Sequence, residues 1–105
     1  MKKSVYIILI ILVSSCSEVA KDAISFNRDI RPILNDKCLR CHGGVKVNGG
    51  FSLLFEEDAF AETQSGKQAI IRGNASKSEL YKRIVHEDSE LRMPLDADQL
   101  STEEI

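Results

Sequence analysis

Cys38-Leu39-Arg40-Cys41-His42 is the stretch on which the reading of this chain turns. Two thiols are separated by two residues, and an imidazole follows the second directly. At that spacing each thiol can add across one vinyl group of a porphyrin, giving two thioethers along one edge of the ring. The adjoining imidazole then reaches the iron from the proximal side as an axial ligand. The pattern is that of covalent haem attachment.

Three other chemistries use similar residues. A thioredoxin-like redox pair needs a βαβ setting, and no such pattern precedes Cys38. A zinc site needs a fourth ligand, and the only other histidine is His86, with no second cysteine pair. A Cys38–Cys41 disulfide suits an oxidising compartment but leaves His42 without a role.

Upstream lies Phe26-Asn27-Arg28-Asp29-Ile30-Arg31-Pro32-Ile33-Leu34-Asn35-Asp36-Lys37. Asn27 suits an N-cap and Asp29 the first turn of a helix, where a carboxylate complements the dipole. Pro32 is tolerable early in a helix and costly later. Ile30, Ile33, Leu34, Cys38 and Cys41 recur at spacings of three and four, which predicts one helix presenting them on a single face. Gly43-Gly44 ends it.

Downstream, Val45 to Leu53 is a glycine-broken loop with short extended pieces, and Glu56 to Glu62 contains a helical turn. Gln64 to Lys67 is a loop, and Ala69-Ile70-Ile71 is a strand fragment or chain packed against the cofactor. Ser76-x-x-Glu79 is a capping box for a helix through Leu80, Tyr81, Ile84 and Val85. Leu91-Arg92-Met93-Pro94 follows, with Met93 lying 51 residues after His42. Haem iron often carries a thioether opposite its histidine. Met1 is the only other methionine, so that ligand is expected to be Met93, with His86 as the competitor. Ser101 or Thr102 caps a further helix with Glu103 and Glu104 in its first turn. The sequence ends at Ile105, so a truncated terminal helix, and hence a fragment, is expected.

At the other end, Met1-Lys2-Lys3 is basic, Val5 to Val13 is apolar, and Ser14-Ser15-Cys16 closes the run. This is the layout of a secretory signal, and the apolar run is short for a membrane span. Val13-Ser14-Ser15-Cys16 resembles a bacterial lipobox, which implies cleavage before Cys16 and diacylation of its thiol. An uncleaved anchor, or a plain signal with Cys16 incidental, are the alternatives. The expected organisation is a signal over 1–15, a tether over 16–25 and one domain over 26–105.

The 105 residues are 43% hydrophobic and 29% charged, with a net charge of −2. Loss of Lys2 and Lys3 with the signal would make that −4. No basic run lies beyond the N-terminus, so nucleic acid is not an expected partner. A chain this short buries a modest core and benefits from a cofactor as its apolar centre.

Taken in order, Phe26 to Leu34, Cys38 to Gly43, Gly49-Gly50-Phe51-Ser52-Leu53, Ile71 to Leu80, Met93-Pro94 and Leu100 to Ile105 resemble the Planctomycete-type cytochrome c domain. The resemblance implies an all-α, cytochrome c-like fold of short helices and loops around one covalent haem c. Cys38 and Cys41 would carry the thioethers, His42 the proximal ligand and Met93 the distal one. It also implies electron transfer with other redox proteins, in a chain exported to the periplasm or cell envelope and held on the membrane through Cys16. Alternatives are a haem-based catalytic or sensing module with an open sixth position, and a non-haem lipoprotein interaction module with a Cys38–Cys41 disulfide. No cluster suited to acid, base or nucleophilic catalysis stands out, so an enzyme is not the expected class unless the domain serves a larger redox protein.

Overall fold

The computed structural model describes residues 23–105. The signal, Cys16 and most of the tether lie outside the described residues. The described chain is built from short helices joined by loops: α1 (Arg31–Lys37), α2 (Leu39–His42), α3 (Glu56–Ala59) and α4 (Glu79–Ile84), with a two-residue strand, β1 (Lys46–Val47), after α2. The small all-α class expected from the sequence therefore stands, apart from β1.

The single helix expected before the motif is broken into three consecutive pieces. Phe26–Ile30 is a wide π-helical turn, α1 follows, and Cys38 separates α1 from α2. Pro32 accounts for the wide turn. It sits in the first turn of α1 and has no N–H, and its ring would crowd the carbonyl four residues back. The turn before it relaxes to longer bonds, with Arg31 N–H donating to the Phe26 carbonyl. Ser25, not Asn27, is the N-cap. The Asp29 carboxylate takes the Ser25 N–H at 2.7 Å and forms an ion pair with Arg28 at 2.9 Å. Both bonds, the Arg28 one foremost, hold the Asp29 carboxyl below the usual carboxylate range.

Gly43 ends α2 as expected. A Cβ there would lie 2.7 Å from the Leu39 carbonyl oxygen, so only glycine fits without displacing the helix end. Gly43→Ala should lower stability by about 1–3 kcal/mol through overpacking, read as a lower urea midpoint at unchanged slope. The chain then doubles back: His42 bridges Val47, and Leu53 N–H reaches the His42 carbonyl at 2.7 Å. Gly49 and Gly50 turn it at φ +67° and +70°. A side chain on Gly50 would meet Gln64 at 2.8 Å, which makes this crossing specific for glycine.

The expected capping box of Ser76 with Glu79 does not form. Asn74 caps a 3-10 turn over Ala75–Lys77 instead, its side chain accepting from Lys77 N–H at 3.2 Å. Glu79 is drawn to Lys67 and Arg83, at 3.5 and 3.3 Å. A capping box does close further on, where Ser101 N–H donates to the Glu104 carboxylate (2.8 Å) and Glu104 N–H donates to Ser101 Oγ (3.3 Å).

Buried Ser78 stitches this half together. Its hydroxyl accepts from Ile71 N–H at 2.8 Å and lies 2.8 Å from the Asn74 carbonyl, to which it donates. Beside it, Leu80 N–H bonds to the carbonyl of buried Ala69 at 2.9 Å. Ser78→Ala strips the Ile71 N–H of its partner at a buried side chain. The expected loss is about 1–3 kcal/mol, measured by chemical denaturation.

Candidate functional site

Between α1, the 70–75 loop and α4 lies an apolar cavity of about 570 Å³. This is within the range of roughly 300–1,000 Å³ common for cofactor sites. Ile30, Ile33, Leu34 and Cys38 form the α1 side of its wall, and Leu80, Tyr81 and Ile84 the α4 side. The three-four periodicity of both helices thus points at one space. Leu80 and Ile84 are half-buried and Tyr81 is exposed, so they wall the open cavity and do not form the closed core that the sequence suggests.

Cys38 and Cys41 are both free thiols and both half-buried. Cys38 lies in the cavity wall, whereas Cys41 and His42 do not line it. The expectation that Cys38 and Cys41 continue one apolar face fails at this point. Cys38 has φ −121° and ψ −41°, which ends α1, and α2 restarts after it. Burial pushes the Cys38 thiol up, so at neutral pH it is a protonated S–H. Its alkylation in the haem-free protein should therefore be slower at pH 7.5 than that of an unstructured cysteine.

His42 is held by a feature with no side-chain signature in the sequence. Its Nδ1 lies 3.2 Å from the Phe51 carbonyl oxygen, and its ring packs 5.2 Å from the Phe51 ring. A carbonyl only accepts, so this bond puts the proton on Nδ1. Nε2 is left with its lone pair, the form an imidazole needs to bind a metal ion. Phe51, 8% exposed, is fixed by the Gly49-Gly50 turn. In the sequence Phe51 stands in a glycine-broken loop, with no pattern that gives it a role. The paired glycines were the available clue that the chain there must fold back closely.

Met93 is half-buried, its N–H bonded to the Arg83 carbonyl at 3.0 Å, and the Met93–Pro94 peptide is cis. His86 is half-buried too, with Nδ1 accepting from Asp88 N–H at 3.1 Å. Neither residue lines the cavity. Among the described residues no group of three His, Cys, Asp or Glu side chains could hold a metal ion. The donor chemistry available around Cys38 is therefore two thiols and one imidazole with a fixed tautomer, beside a large apolar space. Those residues fit haem. A porphyrin supplies the apolar faces the cavity would cover, the vinyl groups that thiols add to and an iron for Nε2.

The helical fold, the cavity and the Cys-x-x-Cys-His end of α2 define a c-type cytochrome domain. A family model described as Planctomycete cytochrome C matches residues 38–96, more than half of the chain, and the chain belongs to that family. No curated protein and no solved structure matches it. Family membership carries covalently bound haem c and electron transfer as the general activity. Domains of this kind usually work outside the cytoplasm, and among the described residues no helix is long and apolar enough to cross a membrane.

Proposed function

We propose that this chain is a mono-haem electron-transfer module of the cell envelope. Cys38 and Cys41 carry the two thioethers, His42 Nε2 is the proximal ligand and Met93 the distal one. The observation that carries the reading is the Nδ1 bond of His42 to the Phe51 carbonyl, at 3.2 Å. It prepares the imidazole next to the two thiols for iron, and neither a disulfide module nor a thiol oxidoreductase has use for it. The haem, when bound, supplies a one-electron ferric/ferrous couple. Ile30, Ile33, Leu34, Leu80 and Ile84, which line the apolar cavity, would cover its faces and keep water from them, and His42 with Met93 would set its potential. Export by the N-terminal signal, with acylation at Cys16, places the domain on a membrane surface beside its redox partners.

A second reading, an open sixth position serving ligand binding, has one observation in its favour: Met93 does not line the cavity. Carbon monoxide separates the two. The ferrous holo-protein should not bind it and should titrate as a reversible one-electron couple. Tight, rapid CO binding by the wild-type protein would contradict a methionine-ligated iron.

A further inference from the structure

Met93 stands at the end of a loop that leaves α4 at Val85 and holds no helix or strand over residues 86–93. Its backbone is nonetheless tied at many points. Asp88 N–H donates to His86 Nδ1 at 3.1 Å, and the Asp88 carboxylate takes Glu90 N–H at 2.9 Å. The Asp88 carbonyl accepts from Leu91 and Arg92 N–H, at 3.1 and 2.9 Å. Arg92 Nη1 closes the near end on the His86 and Glu87 carbonyls, at 3.2 and 3.3 Å. The loop is thus a folded unit, and the place of Met93 depends on how that unit is fastened to α4.

Arg83 fastens it twice. Its carbonyl accepts from Met93 N–H at 3.0 Å. Its guanidinium reaches Leu91, two residues before Met93, where Nη1 donates to the carbonyl at 3.0 Å. One bond alone would let the segment swing about it. Two bonds from one residue, to positions 91 and 93, fix its direction. Glu79, one helical turn back, aims the guanidinium: its Oε1 accepts from Arg83 Nε at 3.3 Å and lies 3.5 Å from Lys67 Nζ. The Glu79 side chain is 17% exposed, so this pair is screened less than a fully solvated one. A guanidinium can serve a carboxylate and a carbonyl together because its donors form a planar fork, which an ammonium lacks. Leu80 and Ile84 of the same helix line the apolar cavity. Arg83 therefore sets Met93 in register with the helix that walls this space.

We infer that Arg83, aimed by Glu79, is the positioning residue that holds Met93 in place as the sixth ligand. The inference rests on the Met93 reading above. A neutral thioether is a weak ligand, so the share of molecules in which it occupies the iron is set by how seldom the loop swings away. The side-chain tie at Leu91 suppresses that swing.

The test uses wild-type holo-protein, Arg83→Met, which keeps an apolar stem and loses the donors, Arg83→Lys, Met93→Ala and, as a control for charge loss on the exposed side of α4, Lys82→Gln. Two readings are taken: imidazole titration of the ferric protein, followed by its absorption, and hydrogen exchange of single backbone amides. Imidazole binds only when the sixth position is open, so in Arg83→Met the concentration that displaces half of the native ligand should fall about tenfold. The Met93 amide should exchange about tenfold faster in Arg83→Met, because the local opening that frees it is more populated. The Leu80 amide, bonded to the Ala69 carbonyl at the other end of α4, should keep its rate. Arg83→Lys should fall between wild type and Arg83→Met, and Lys82→Gln should match wild type. Unchanged titration and exchange in Arg83→Met, an equal shift in Lys82→Gln, or an equal acceleration at Leu80 would overturn the positioning role while leaving the Met93 ligand intact. If Arg83→Met yields no holo-protein, Arg83→Lys decides: a Met93 amide exchanging at the wild-type rate overturns the role. A Met93→Ala protein with the wild-type titration would overturn the Met93 ligand itself, and the inference with it.

Discussion

Replacing Cys38 and Cys41 together by Ala removes all covalently bound haem from protein made alongside a haem-attachment system. Nothing else in the chain can form a thioether to a vinyl group at this site: Cys16, the one remaining thiol in the sequence, is 22 positions before Cys38, outside the attachment spacing, and is proposed above to carry lipid. Any porphyrin held in the cavity of about 570 Å³ by apolar contact alone would wash out of the variant under denaturing conditions. Each single substitution leaves one thioether. The double variant should show no haem stain on a denaturing gel, and each single variant should keep a stained band with its haemochrome absorption displaced from wild type. The structure distinguishes the two singles. Cys38→Ala removes a sulfur from the cavity wall, whereas Cys41→Ala changes a residue in α2 outside it. Cys38→Ala should therefore be the poorer of the two at retaining correctly seated haem.

The second large effect is at the distal side of the iron. Met93→Ala should convert a six-coordinate iron to one that binds water or CO, and should lower the midpoint potential. A thioether opposite histidine favours the ferrous state, and the axial ligands available to haem span roughly 0.8 V, so a drop on the order of 0.1 V or more is expected. The Met93 N–H bond to the Arg83 carbonyl is made by the backbone and survives the substitution. The loop should thus keep its tie to α4, and a change in spectrum can be assigned to the side chain. His86→Ala is the companion variant. It removes the acceptor of the Asp88 N–H bond, at 3.1 Å, and should leave the spectrum unchanged. Unchanged spectra in Met93→Ala together with altered spectra in His86→Ala would reassign the sixth ligand.

The parts of this site legible in the sequence are those written in side chains at helical spacing. Ile30, Ile33, Leu34 and Cys38 repeat every three or four residues, as do Leu80, Tyr81 and Ile84, and both sets line the cavity. Helix boundaries were less legible, because several polar groups competed for each cap. Asn27 looked like a cap, but the Asp29 carboxylate reached the Ser25 N–H first and gained Arg28 as well. Ser76 and Glu79 had the spacing of a capping box, yet Asn74 took the Lys77 N–H and Glu79 two cations. The break at Cys38, which takes Cys41 off the face, had no signal in residue type. Nor did the role of Phe51, since a carbonyl oxygen belongs to every residue and only folding decides which one meets His42.

Cys38, Cys41 and His42 are proposed to hold one covalent haem. The most direct measurement is the pyridine haemochrome spectrum of the wild-type protein, expressed with a haem-attachment system and quantified against protein concentration. The expected result is one haem per chain, retained through denaturation, with the absorption of a ring bearing two thioethers. Protein that is folded and fully expressed but carries no covalent haem would contradict it.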